Sequence, residues 1–377
     1  MTGALLPWTG GPVRSIGAFQ RALSADVISF VDSRHAFRDS LAVKAARRVI
    51  VRSRAIPGNR HFLVPCPGQL RAASEVLRNA DLVSCHSFYL FHPLWLSALS
   101  LPRQPPYWFV PHGILDPAVR GASFGFKQAY RILARRFVAG ASATVFSTVR
   151  ERDKALAVQR VTNPAVVHWP VELKREAGLS EARQALRDRL GLPHEARVLL
   201  CLGRLDRIKR PLDVIAMFGR SRRPGWHLVL IGPVETVSEE DCRRAASAAD
   251  VQCEVHVIPG VSPAETARLV AAADLYISYS IKENFNNAAA EAMAAGVPLL
   301  LSEGNDLVPE LTPTGAALLL PENRYDAIRC MSDALGMPEI ELRQRGAAGR
   351  DWAAAHLSFE HFRSRLTELR DLVIQHG

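Results

Sequence analysis

Residues 274–302 read DLYISYSIKENFNNAAAEAMAAGVPLLLS, and this stretch restricts the fold more than any other. Leu275, Tyr276 and Ile277, closed by Ser280, form a short apolar run rich in β-branched and aromatic residues, the composition of a buried strand. A polar loop holding Glu283 follows, and then a helix that begins near Asn286 and carries Glu291. Gly296 and Pro298 stop that helix and start the next strand, 299–302. Two strands joined by a helix in so few residues lie parallel in one sheet.

The same alternation runs through the whole chain. In the first half, strands are expected at 3–6, 26–31, 48–52, 82–85, 107–110 and 143–147, with helices at 13–23, 69–79, 93–100 and 124–139. A charged stretch over 170–190, with one helix at 181–190, separates this half from a second alternation that starts at Ala196. There, strands are expected at 198–202, 227–231, 255–258, 299–302 and 316–319, helices at 211–218 and 263–272, and long helices at the end. Strands alternating with helices mean βαβ units, and two such series mean two doubly wound domains in tandem.

At 377 residues the chain exceeds one ordinary core and suits two domains of roughly 150–200 residues each. Its 48% hydrophobic and 22% charged content is that of a soluble globular protein. No apolar run reaches the length of a membrane span. The start, MTGALLPWTGG, lacks the basic and apolar regions of a secretory signal, and strand 3–6 is short, as at a start that lacks a few residues. Six cysteines without CxxC pairing read as buried thiols in a reducing compartment.

Charge is uneven. Residues 1–200 hold 28 Lys and Arg against 13 Asp and Glu, a balance of +15, and the rest carries −5. A basic half suits an anionic membrane surface, a lipid-diphosphate acceptor or nucleic acid, unless the whole composition is simply Arg-rich. Nucleic acid is disfavoured, because no exposed aromatics interleave with the arginines and no DNA- or RNA-binding motif is present. Arg131, Arg135 and Arg136 on the helix 124–139 are the candidate membrane-facing charges, with 131 and 135 on one face by their spacing.

In open parallel sheets ligands bind beyond the carboxyl ends of the strands. After strand 198–202 come Gly203, Arg204, Leu205 and Lys209, a sharp turn followed by two cations able to converge on a diphosphate. After strand 107–110 comes PHGILDP, with His112 and Gly113; His86 follows strand 82–85, and His92 and Asp116 are weaker candidates. Gly10-Gly11 precedes the first helix. In the 274–302 unit, the helix N-terminus offers free N–H groups to an anionic or hydroxylated ligand. Glu283 and Glu291 flank that spot, suited to sugar and ribose hydroxyls.

In this order, Gly10-Gly11, the PHG element, Gly203-Arg204-Leu205 with Lys209, and Glu283-x7-Glu291 leading into EAMAAGVP resemble the motifs of the retaining GT-B glycosyltransferases, the large family 4 group, especially its bacterial exopolysaccharide and lipopolysaccharide members. The resemblance implies an α/β GT-B fold: two Rossmann-like domains facing each other across a cleft, with a C-terminal helix near 359–374 returning to the N-terminal domain. It places the acceptor domain at 1–172, with 359–377 packing back on it, and the donor domain at 173–358. It implies a catalytic set of His112, Arg204, Lys209 and Glu283. Gly11, Gly113, Gly203, Asn284, Phe285, Asn286, Asn287 and Glu291 would bind the donor, and His86 and Gly10 would lie on the acceptor side.

The implied reaction moves a hexose-type sugar from a nucleoside diphosphate to a hydroxyl of a glycan or lipid-linked acceptor, with front-face attack and retention. No metal or cofactor is expected beyond the nucleotide sugar itself, since Arg204 and Lys209 can neutralise the departing diphosphate and no Asp-x-Asp motif is present. A cytoplasmic enzyme, peripheral on an anionic membrane, would fit. The chain departs from the family at Arg210 and Asn286, where glycine is common; at Asn286 the side chain would crowd the sugar pocket or add a hydrogen bond. A sugar-nucleotide epimerase of the same fold and a non-catalytic regulatory subunit are the competing readings. A plain NAD-dependent dehydrogenase is disfavoured by the lack of a GxGxxG fingerprint.

Overall fold

The computed structural model describes residues 1–2, 11–33, 47–57, 59–98, 105–117, 124–172, 179–258 and 260–376. These fall into two units, Met1–Pro170 with Phe359–Gly377, and Val171–Ser358. The expected strand 3–6 and Gly10 lie outside the described residues.

The strands of the first unit are β1 (Val27–Asp32), β2 (Arg48–Ile56), β3 (Asn59–Pro65), β4 (Val83–His86), β5 (Tyr107–Val110), β6 (Ala143–Phe146) and β7 (Pro164–Val166). Its helices are α1 (Gly11–Leu23), α2 (Leu70–Arg78), α3 (Phe91–Ala98), α4 (Phe124–Leu133), α5 (Arg135–Gly140) and α6 (Val149–Leu156). β4 to β7 form a parallel sheet in sequence order, and β1 pairs parallel with β2. β5 and β6 are buried on both faces, which is why YWFV of β5 reads as an unbroken apolar run and β6 breaks its own only at Thr144. Trp108, Phe109, Phe137 and Phe146 fill the core beneath them.

Two differences from the sequence reading stand out here. The strand expected at 48–52 runs on to Ile56 and returns as the antiparallel β3. The helix expected over 124–139 breaks at Ala134, whose φ of −86° and ψ of 5° leave the α region. Ala134 is fully buried, so the bend follows the core rather than any Gly or Pro. Arg131 and Arg135 therefore sit on successive helices, α4 and α5. Arg131 Nε donates to the Tyr89 hydroxyl (2.8 Å), while Arg135 is exposed.

The second unit holds β8 (Arg197–Leu202), β9 (Trp226–Ile231), β10 (Val255–Ile258), β11 (Leu275–Ser278), β12 (Leu299–Ser302) and β13 (Ala317–Leu320). Around them lie α7 (Leu179–Leu190), α8 (Pro211–Arg220), α9 (Glu239–Ala248), α10 (Pro263–Ala271), α11 (Asn287–Ala294), α12 (Val308–Leu311), α13 (Arg324–Gly336) and α14 (Glu339–His356). All six strands are parallel, in the order β10-β9-β8-β11-β12-β13. The order reverses between β8 and β11, and a doubly wound sheet opens its ligand crevice at that reversal.

α11 shows how tightly this unit is built. Ala289, Ala290, Ala292 and Ala294 are buried along it, and small side chains let α14 come close. At the contact, a Cβ on Gly346 of α14 would overlap the Gly296 carbonyl. The final helix, α15 (Phe359–His376), belongs to the first unit and packs on α1. Phe362 meets Phe19 edge-on at 5.3 Å, and Arg21 lies over the Phe359 ring at 5.2 Å. Among the described residues, no helix is long and apolar enough to cross a membrane.

Candidate active site

The loops that leave β8 and β11 meet at the reversal of the sheet. After β8, Gly203 takes a φ of 156°, and the carbonyl of Gly203 lies so close to Gly232 that a Cβ there would overlap it. Two glycines thus let the ends of β8 and β9 touch. The chain then turns through Asp206, whose buried Oδ1 accepts from the N–H groups of Ile208 (2.8 Å) and Lys209 (2.9 Å). This Asx-type turn fixes the backbone from which Lys209 projects. Lys209 Nζ pairs with Glu283 Oε1 of the β11 loop. A basic and an acidic residue 74 positions apart in sequence are thereby held together, both shielded from most solvent.

Arg204 lines the same small cavity beyond β8 as Lys209, Ser278 and Ser280, but its guanidinium is held differently. It is more than half exposed, pairs with Glu235 Oε2 and lies 3.5 Å from Asp206 Oδ2. The two cations thus share a cavity while answering to separate carboxylates. Glu235 was missed by the sequence reading, and no local pattern marks it.

The Glu283 loop is strapped on both sides. Ile281 N–H donates to Ile208 O (2.9 Å), tying it to the Lys209 turn. Glu283 N–H donates to Gly304 O and Asp306 N–H donates to Glu283 O, both at 2.9 Å, extending the β11–β12 pairing past the strand ends. Ser302 Oγ donates to Ser280 O (2.6 Å) beneath.

The two departures from glycine both adopt left-handed backbone. Asn286 has φ 51° and caps α11: its Oδ1 accepts from Ala289 N–H (3.2 Å), and its Nδ2 donates to Ser278 Oγ (3.1 Å). Asparagine tolerates this region and suits a helix N-cap. Its buried side chain therefore serves the helix and the Ser278 hydroxyl. Arg210 has φ 52°, a conformation costly for a residue with a Cβ. Its guanidinium lies over the Tyr279 ring at 5.1 Å and pairs with Glu322 (3.1 Å).

The remaining donor-side candidates separate by burial. The Phe285 ring is 3% exposed and supports the loop from inside. Asn284, Asn287 and Glu291 are half-buried, and Asn287 and Glu291 stand one turn apart on the same face of α11. Gly11 is the first residue of α1.

In the first unit, His86 and His112 come together. His86 Nδ1 and His112 Nε2 lie 3.0 Å apart, so one ring N–H donates to the other ring's bare nitrogen, and Ser84 Oγ sits 3.0 Å from His86 Nε2. His112 and Gly113 both have positive φ, 55° and 74°. That turn is held by Glu151, a buried residue the sequence reading overlooked: its carboxylate accepts from Gly113 N–H (2.5 Å) and from the N–H and Oγ of Ser147 (both 2.7 Å). The Thr148-x-x-Glu151 spacing, a helix-start pattern, was the available signal. His92 and Asp116 are structural: His92 bonds the His86 carbonyl (2.9 Å), and Asp116 pairs with Lys154 (2.9 Å).

Residues 182–345 match the family described as glycosyl transferases group 1. The chain is 23% identical over 338 residues to the GDP-mannose:cellobiosyl-diphosphopolyprenol alpha-mannosyltransferase of Xanthomonas oryzae pv. oryzae, covering 86% of this chain and 82% of the relative. The protein is a glycosyltransferase. Its fold is GT-B. A sucrose-phosphate synthase from Thermosynechococcus elongatus superposes over 100% of both chains with a TM-score of 0.74 at 18% identity. Anabaena Alr3699/HepE, in complex with UDP-glucose, covers 97% of both chains at 0.73 and 14%.

The histidine cluster gives the glycosyltransferase a pH-dependent stability. Burial pushes His112 down to about 4 and His92 to about 3, and it lowers His86 well below its ordinary value, with His112 adding to the effect. All three are neutral in the fold at pH 7. Unfolded, they take up protons near pH 6.5. The unfolded state then binds more protons below that pH, so the stability is complete above about 6.5 and is lost as pH falls toward 4. A melting temperature that drops through this window, and drops less in His112→Gln, is the expected result; equal slopes in the two proteins would contradict it.

Proposed function

We propose that the protein transfers a hexose-type sugar from a nucleoside diphosphate to a hydroxyl of a glycan or lipid-linked acceptor, with retention and without a metal. The observation that carries this reading is the Lys209–Glu283 pair at the reversal of the six-stranded sheet. A diphosphate arriving there meets Lys209 and Arg204, and its negative charge competes with Glu283 for the lysine. Glu283, so released, can accept hydrogen bonds from sugar hydroxyls, and Glu291 from the ribose. As the glycosidic bond to the diphosphate breaks, the two cations stabilise the departing oxygen. That same oxygen can take the acceptor's proton, so the new bond forms on the face the diphosphate leaves. The Xanthomonas relative is named for transfer from GDP-mannose to cellobiosyl-diphosphopolyprenol, and the Anabaena protein is in complex with UDP-glucose; both names support a nucleoside-diphosphate hexose as donor.

The test is the anomeric configuration of the product, read by NMR in excess EDTA. Transfer from an α-linked donor should proceed undiminished by the chelator and give an α-linked product. A β-linked product would overturn retention, and activity lost in EDTA and restored by Mg²⁺ or Mn²⁺ would overturn metal independence.

A further inference from the structure

Arg204 has a carboxylate of its own, and the backbone is built to keep it there. The loop after β9 is clamped to the loop after β8. Leu205 N–H donates to Pro233 O (2.9 Å), and the Leu205 carbonyl accepts from the N–H groups of Glu235 (3.2 Å), Thr236 (3.1 Å) and Val237 (3.0 Å). Arg207 N–H adds a bond to Thr236 Oγ1 (3.1 Å). The clamp holds Glu235 against Arg204, and its carboxylate pairs with the guanidinium. Among the described residues, Arg204 is the only side chain that this carboxylate meets. Asp206, the other carboxylate near Arg204, is already engaged by the N–H groups of Ile208 and Lys209.

The two ion pairs of the site differ in exposure. The side chains of Lys209 and Glu283 are 19% and 15% exposed, those of Arg204 and Glu235 55% and 45%. Water screens the second pair, so it opens and recloses readily.

We propose that Glu235 is a positioning residue that sets how tightly, and for how long, the protein holds a nucleoside diphosphate. The inference rests on the reading of Arg204 and Lys209 as the seat of the diphosphate. A diphosphate that binds there takes the guanidinium from Glu235, and the guanidinium passes back to Glu235 as the nucleoside diphosphate leaves after sugar transfer. The carboxylate thus competes with the product at the product's own cation. Glu283 competes at Lys209 in the same way, but in the proposed reaction it also holds the sugar. Glu235 has no such second task, and its charge serves release.

The test is calorimetric titration of the parent, Glu235→Gln, Arg204→Ala and the double variant with GDP and with UDP. Glu235→Gln should lower the dissociation constant about threefold or more, the size of removing one exposed ion-pair partner. The off-rate should fall by a similar factor, since variants of one site differ mostly in dissociation. In the Arg204→Ala background the same change should give no gain. Weaker binding by Glu235→Gln would show a carboxylate that merely supports its loop. An unchanged constant, or an equal gain without Arg204, would show that it does not act through the guanidinium; each of these results overturns the proposal. Lys209→Ala, titrated alongside, keeps the two readings apart. Weakened binding there with no change in Glu235→Gln removes only the role of Glu235. Undiminished binding there, or no binding of either nucleotide by the parent, removes the diphosphate seat itself and the proposal with it.

Discussion

Replacing Lys209 with alanine should lower the rate of sugar transfer about a hundredfold or more, the size of losing one pre-positioned stabiliser of transition-state charge. Lys209 is mostly shielded, its backbone is fixed by Asp206, and it already faces an anion in Glu283. It is thus organised before any ligand arrives, and alanine removes the charge without replacing it. Arg204→Ala should cost less, because that guanidinium is more than half exposed and solvent screens it. The fold should survive both changes, since neither side chain contributes to the apolar core. Steady-state rates beside melting curves decide the matter: a Lys209→Ala protein that keeps activity within a few-fold of the parent would remove Lys209 from the site.

The second large effect is expected at a residue that touches no substrate in the proposed reaction. A Cβ on Gly304 would fall well inside contact distance of the Ile281 carbonyl and 2.6 Å from Ser280 O. Those are backbone atoms, so no side-chain rotation relieves the overlap. Gly304→Ala must push apart the strap that holds Glu283 through its own N–H and C=O. A displacement near 1 Å at a catalytic group costs roughly a hundredfold in turnover. Lys209 and its Asp206 turn lie on the other side of the pair and should still grip a free nucleoside diphosphate. The expected signature is a kcat loss of about a hundredfold, with calorimetric affinity for free nucleoside diphosphate within a few-fold. Equal losses in both, or in neither, would show that the strap does not position Glu283.

What the sequence made legible follows from how local each signal is. The β11–α11–β12 unit was readable because its strand, its stop at Gly296-Val297-Pro298 and its next strand are encoded within thirty residues. β12 occupies the expected residues, 299–302. β3 was missed although Pro57-Gly58 between two strand-like runs is a turn signal. The break at Ala134 carried no local signal, because burial against Phe137 and its neighbours sets it. Lys209 and Glu283 could each be nominated, but their pairing depends on strands β8 and β11 lying side by side. Glu151, Glu235 and Gly304 act through contacts 20 to 40 positions distant, out of reach of any periodicity. Arg210 and Asn286 taught the opposite lesson. Both take the left-handed backbone that glycine adopts freely, and each side chain finds its own anchor.

In the proposed reaction the Lys209–Glu283 contact also shapes which compounds should inhibit this protein. With its cation already matched, the pair shows an incoming molecule little net charge. A neutral sugar mimic would have to separate the pair with nothing to offer the lysine. A fragment library screened against it should therefore yield phosphonates, sulfonates and carboxylates first. Carbohydrate-like scaffolds would register only after an acidic head has been joined to them, and medicinal chemistry on this site is best begun from the anion and grown outward.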